Sequence, residues 1–160
     1  MAQDRKTGKS IRLGLKALAF ENEGVAAIEF GIISAVLLIL FLCSVDLSLA
    51  AYSDMQVQTS AQSGAEYAAV HTFNSSAISS AVTNATSTSG ISAAPAPSQF
   101  CGCPSGSGVA TATCLSHCAD GAVAGNYVTV SATRTYSTIV TYPGFPTSYT
   151  QSTSTTVRVP

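Results

Sequence analysis

Charge is scarce in this chain. Of its 160 residues only 9% are charged, and the net charge is −1. Beyond residue 16 the only cations are Arg134 and Arg158, too few to neutralise a run of phosphates, so no nucleic-acid partner is expected. Histidine is scarcer still. His71 and His117 are the only side chains whose ordinary pKa lies near physiological pH, and neither sits in a Ser/Asp or Cys/Asn pattern that would make it a base. There is no C-x-x-C, which removes a thioredoxin-like thiol pair. Thr7-Gly8-Lys9-Ser10 looks like the end of a phosphate-binding loop, but Gln3 stands where its first glycine belongs and no strand precedes it. These absences argue against an enzyme: no catalytic residue, cofactor or metal ligand is expected.

What the chain does have is a long apolar run with one carboxylate inside it. Gly24-Val25-Ala26-Ala27-Ile28-Glu29-Phe30 leads into Gly31-Ile32-Ile33-Ser34-Ala35-Val36-Leu37-Leu38-Ile39-Leu40-Phe41-Leu42. A helix from Val25 to Ala51 would extend about 40 Å, against a hydrocarbon core of about 30 Å. An ionisable side chain within such a span costs roughly 2.5–3.5 kcal/mol on insertion scales, so Glu29 is a functional candidate by default. Arg5, Lys6, Lys9, Arg12 and Lys16 all precede the run. Flanking cations stay in the cytoplasm, which puts the N-terminus there and the rest of the chain outside. A cleaved secretory signal fits less well. The run exceeds the roughly 7–15 residues of such a segment, and the nearest small-x-small site is Ser48-Leu49-Ala50. Lipidation at Cys43 is disfavoured by the bulky Phe41-Leu42 before it.

No proline interrupts residues 50–70, and bulky residues recur at helical spacing: Leu49, Tyr52, Met55, then Tyr67 and Val70. One continuous helix is expected from about Gly24 to the low seventies, with Thr83 as its furthest limit. This amphipathic stalk could pack on its own C-terminal domain, on other subunits, or on both. Asp46 and Asp54 read as interfacial helix charges rather than an acid pair. Residues 74–90 turn to Ser, Thr, Ala and Asn, and Pro95 and Pro97 halt any helix. Asn126 to Val140 and Ser148 to Val159 read as strands by their β-branched and aromatic content, separated by Tyr142-Pro143-Gly144-Phe145-Pro146.

Cys101, Cys103, Cys114 and Cys118 fall in the exported half, where an even cysteine count means disulfides. A Cys101–Cys103 bridge across one glycine would be strained, which leaves two crosswise pairings open. Zinc, with His117 as an added ligand, is the rival, but the spacing is wrong at Cys101-Gly102-Cys103. Cys43 reads as a small buried hydrophobe. The expected fold is α+β: a long N-terminal transmembrane and periplasmic helix packed on a small antiparallel sheet, a hairpin or three strands, with a disulfide-rich loop. Its segments are a leader (1–24), a span (25–50), a helical stalk (51–85), a Pro/Ser/Thr/Cys-rich loop region (86–125) and a small sheet (126–160).

The order of these motifs resembles the TadE-like proteins of tight-adherence (Flp, type IV-like) pilus systems. The resemblance rests on Asn22 through Glu29 and the apolar run, then Gln62-Ser63-Gly64-Ala65-Glu66-Tyr67-Ala68-Ala69. It continues through the Cys-x-Cys…Cys…Cys loop, the strand Tyr127 to Val130, the proline-rich turn and Val157-Arg158-Val159. It implies a minor pseudopilin or assembly component, cut by a prepilin peptidase between Gly24 and Val25. Glu29 would then be the fifth mature residue and, with Phe30, an assembly determinant. The implied partners are pilin-like and pseudopilin subunits, the prepilin peptidase, an inner-membrane assembly platform and the lipid bilayer. The implied location is a bacterial inner membrane, with passage into the pilus open. The alternatives are an uncleaved single-pass inner-membrane protein with a periplasmic binding domain, and a soluble exported protein cut near Ala50.

Overall fold

The computed structural model describes residues 21–160 apart from Ser107, Tyr142 and Phe145. The five leader cations, Arg5 to Lys16, lie outside the described residues. Two helices precede four strands: α1 (Glu21–Val70), α2 (Ser75–Asn84), β1 (Ser98–Ser105), β2 (Gly108–Thr111), β3 (Gly125–Ser137) and β4 (Ser148–Val159). Two compact units divide the chain between Val45 and Asp46, within α1.

In the first unit α1 carries an apolar stretch long enough to cross a membrane, with none of it buried. The second unit holds the remainder of α1, α2 and the sheet. Its strands are all antiparallel, in the order β2-β1-β3-β4. The long β3–β4 ladder runs from Asn126↔Val159 to Ser137↔Ser148.

α1 ends at Val70, and the helix expected to run on toward Thr83 is interrupted at 71–74. The cause is local. Asn74 takes an extended backbone and its side chain accepts the Ala77 amide at 3.1 Å, so it caps a new helix rather than continuing the old one. α2 then turns Ile78 and Val82, one helical turn apart, into the core.

Residues 86–125 hold more regular structure than a loop region: β1 and β2 form a hairpin there, which makes the sheet four-stranded. Their strand signal is weak because β1 is Ser98-Gln99-Phe100-Cys101-Gly102-Cys103-Pro104-Ser105 and contains no β-branched residue. Pairing supplies what propensity lacks. Gly102 must be glycine, since a Cβ there would meet Val109 Cγ1 at 2.5 Å and the Ala110 carbonyl oxygen at 2.9 Å.

The core lies between α1, α2 and the inner face of β3 and β4. Val57, Ala61, Ala65, Ala68, Ile78, Val82, Val128, Val130 and Ala132 form its centre. Full burial of each valine or isoleucine contributes about 1.5–3 kcal/mol. Alternation along β3 sends Val128, Val130, Ala132, Arg134 and Tyr136 to one face, as the two-residue strand period requires.

Candidate functional site

The sequence candidates fall into two regions, one in each unit. In the first, Gly24, Val25, Glu29 and Phe30 are all exposed on α1. A Cβ on Gly24 would meet nothing within 4 Å, so this glycine is not required by packing. Val25 and Glu29 stand one turn apart on the same helix face. Cys43, half-buried, is the free cysteine.

In the second unit the seam between α1 and the sheet is built from small residues. Asp46, Ala50, Ser53, Val57, Ser60, Ala61, Gly64, Ala65 and Ala68 are buried, at alternating three- and four-residue steps. The bulky residues whose periodicity marks the helix, Leu49, Tyr52, Met55 and Val70, are exposed; Tyr67 alone packs partly on the core, stacking on His71 at 4.0 Å. The stalk therefore contacts its own sheet through its small-residue face. Small side chains let the helix approach closely: a Cβ on Gly64 would lie 2.5 Å from Val82 Cγ2 and 2.8 Å from Val130 Cγ1.

The seam changes character along its length. From Val57 to Ala68 it is apolar apart from Ser60, whose buried hydroxyl finds no partner among the described residues. From Asp46 to Ser53 it is a polar clamp. The Tyr136 hydroxyl donates to Asp46 Oδ1 at 2.6 Å, and the Ile139 amide reaches the same oxygen at 3.4 Å. Arg134 Nη1 donates to Ser53 Oγ at 2.7 Å. Ser53 donates in turn to Gln151 Oε1, and Gln151 Nε2 closes on the Ala50 carbonyl at 2.8 Å. Arg134 and Gln151 are cross-strand partners, as are Tyr136 and Tyr149. Burial, and the hydrogen bond to Asp46, push the Tyr136 hydroxyl up from 10.0 to about 12. Asp46, read from sequence as an interfacial charge, is instead a buried anchor for the end of β3. Asp54 is half-buried and accepts from Gln58 Nε2 at 2.9 Å. No sequence pattern marks the clamp, because its members lie about a hundred residues apart.

The cysteines pair crosswise, Cys101 with Cys114 and Cys103 with Cys118, with Cα separations of 5.1 and 5.6 Å. Cys101 and Cys103 share one face of β1, so both bridges tie the same strand to the segment after β2. Bonded in this way, the four sulfurs leave no thiolate for zinc. His117 faces the Gly121 carbonyl at 3.3 Å.

The description of this helix has a counterpart among known families: the model of TadE-like proteins matches residues 24–66. This segment is similar to TadE-like proteins. The match begins at Gly24 and takes in Glu29, the apolar stretch, the clamp residues of α1 and most of the small-residue seam. The match covers 43 of the 160 residues. Neither a curated protein nor a solved structure matches the chain. The sheet and its disulfides lie outside the TadE-like match.

Proposed function

We propose that this protein is a minor pseudopilin or membrane-anchored assembly component of a tight-adherence pilus. Its span would cross the inner membrane with the leader in the cytoplasm and the disulfide-linked sheet in the periplasm. It acts by helix–helix association with pilin-like subunits. The observation that carries this reading is the TadE-like match over residues 24–66, which starts at the glycine of the proposed cleavage site. In the proposed path a prepilin peptidase cuts between Gly24 and Val25. Exposure of both residues, and the absence of any packing requirement for Gly24, support access to that bond. The freed ammonium of Val25 on one subunit then pairs with Glu29 on another, offsetting the cost of a carboxylate in the membrane.

The sequence reading puts the span at 25–50; toward its outer end Asp46 bonds Tyr136 and the Ala50 carbonyl accepts from Gln151. We place the span at Val25–Val45, about 31 Å at 1.5 Å per residue, which matches a hydrocarbon core of about 30 Å.

The test is the N-terminal sequence of the protein from membranes with and without its native prepilin peptidase, by intact mass and peptide mapping. A peptidase-dependent start at Val25 is expected. An uncut leader in both strains would overturn processing and leave the uncleaved single-pass protein with a periplasmic binding domain.

A further inference from the structure

We propose that the free edge of β4 is a docking site for an extended strand of another protein, one that carries an acidic residue and adds to the sheet antiparallel to β4. The site lies wholly within the sheet-bearing unit and stands whether or not the protein serves a pilus.

β4 is an outermost strand of the sheet, paired on one side with β3 over twelve unbroken rungs. Which of its backbone groups are free follows from the alternation of an antiparallel ladder. One step beyond the last rung, Ser137↔Ser148, the Thr138 amide donates to the Thr147 carbonyl at 2.9 Å. That pair is therefore of the hydrogen-bonded kind, and so is every second rung after it: Tyr136↔Tyr149, Arg134↔Gln151 and on to Asn126↔Val159. The far side of β3 agrees, since the odd-numbered Thr133 exchanges both its backbone bonds with Ser92 there. The odd-numbered residues of β4 thus bond β3. The N–H and C=O groups of Ser148, Thr150, Ser152, Ser154, Thr156 and Arg158 point away from the sheet. All six residues are exposed, and these groups find no partner among the described residues.

Proteins commonly blunt such an edge with a short strand, a charge, a proline or a bulge. The opposite edge of this sheet is blunted, because β2 is only four residues long. β4 has no such device: it runs twelve residues without proline, lysine or carboxylate, and its register with β3 has no bulge. A row of free N–H and C=O groups at strand spacing is matched by another strand. The side chains say what that strand should carry. Outward of the sheet β4 presents hydroxyls, while Thr153, Thr155 and Val157 on the core side are only half-buried. β-branched or aromatic residues at alternate positions of an added strand would cover them. Arg158 marks one end of the edge. It is exposed, leans over Gly125, where a Cβ would stand 3.1 Å from its Nε, and is paired with no carboxylate side chain among the described residues. β4 itself contains no acidic residue, so a second copy of β4 could not supply the missing charge; a strand of another protein with an acid at that position could.

The probe is the end-blocked, fluorophore-labelled peptide Glu-Val-Thr-Val-Thr-Tyr-Thr-Val-Thr, added to the full-length protein in detergent micelles. Run antiparallel to β4, its glutamate meets Arg158 and its last threonine meets Thr150. The expected result is a saturable rise in anisotropy, with slowed hydrogen exchange at the amides of Thr150, Ser152, Ser154 and Thr156. N-methylation of the central threonine, whose N–H faces Ser154, should weaken binding about tenfold or more. N-methylation of the tyrosine, whose N–H points away from β4, should leave binding unchanged. Ser152→Pro removes an outward N–H and no ladder bond, so it should abolish binding while the tyrosine dichroism and both disulfides persist. Arg158→Glu, a surface change, should weaken binding, and a peptide beginning with lysine should bind that variant more tightly than the original peptide does. Absence of saturable binding would overturn the docking site, as would equal binding of the two methylated peptides. Slow exchange at the same four amides before any peptide is added would also overturn it, showing the edge already covered, by a second copy where the mass is that of a dimer.

Discussion

Gly64→Ala separates a tight seam from a loose one, because two effects of opposite sign meet at that position. Gly64 lies inside α1, where alanine is favoured over glycine by about 1 kcal/mol from backbone entropy alone. The added methyl would stand 2.5 Å from Val82 Cγ2 and 2.8 Å from Val130 Cγ1. Both valines are fully buried and stiff about χ1, so neither can swing aside, and overpacking of this kind costs about 1–3 kcal/mol. The balance is a net loss of about 1 kcal/mol. For a unit of this size that lowers the melting midpoint by about 4 °C. All six tyrosines lie beyond Asp46, so the tyrosine band of the near-ultraviolet dichroism of the full chain in detergent micelles reads the sheet-bearing unit. Val82→Ala alone should cost about 2 kcal/mol. Combined with Gly64→Ala it should cost no more than it does alone, since the new methyl enters the space vacated by Val82. The reasoning is refuted if Gly64→Ala raises stability by the full helix-propensity gain, or if the two substitutions add.

Tyr136→Phe should destabilise the same unit by about 1–3 kcal/mol, measured by denaturant titration, because it leaves a buried Asp46 carboxyl without its closest donor. The raised Tyr136 value adds a pH signature. Its folded pKa, about 12, lies above the ordinary 10.0, so its stabilisation is whole below pH 10 and lost as pH rises from about 10 to about 12. Absorbance titration at 295 nm, a wavelength set by tyrosinate, should show one late-titrating tyrosine that Tyr136→Phe removes. Ser60→Ala should raise stability by about 1 kcal/mol, since it deletes a buried hydroxyl with no partner and improves helix propensity; a loss would mean that the hydroxyl is bonded. Replacing Cys103 and Cys118 together by serine should cost about 3 kcal/mol, as expected for a loop of this length, and peptide mapping of the unreduced protein should recover Cys101–Cys114 and Cys103–Cys118.

The α+β class, the long helix, the closing hairpin and the disulfide bonding of the four exported cysteines were legible because each is written in local chemistry: an apolar run, β-branched segments, an even cysteine count. The face of α1 that packs on the sheet was not. Hydrophobic periodicity draws the eye to Leu49, Tyr52 and Met55, yet those side chains are exposed, and the buried stripe consists of alanines, serines and Gly64. A stripe of small residues carries little hydropathy, so its three- and four-residue spacing passes for filler. The hairpin of β1 and β2 escaped for a related reason, since serine, glycine, cysteine and proline dominate β1 and its strand conformation comes from pairing with β3 and the bridges to Cys114 and Cys118. The clamp was invisible because Asp46 and Tyr136 are ninety residues apart and nothing local pairs them.

The division of α1 into a small-residue face and a bulky face bears directly on association. Had the sheet packed against Leu49, Tyr52 and Met55, the stalk would have spent its apolar side chains within its own chain and offered a partner only alanine, serine and glutamine. The sheet instead takes the small residues, where close approach substitutes for side-chain bulk and Gly64 brings the helix against Val82 and Val130. Leu47, Leu49, Tyr52 and Met55 are then left exposed on the stalk. A helix presenting such side chains from Leu47 to Met55 can be gripped by a second helix without any rearrangement of the folded unit. The polar clamp fits the same requirement. By fastening the end of β3 to Asp46, it holds the sheet on the small-residue face of the helix, so an exchange of partners along the exposed face need not disturb the seam.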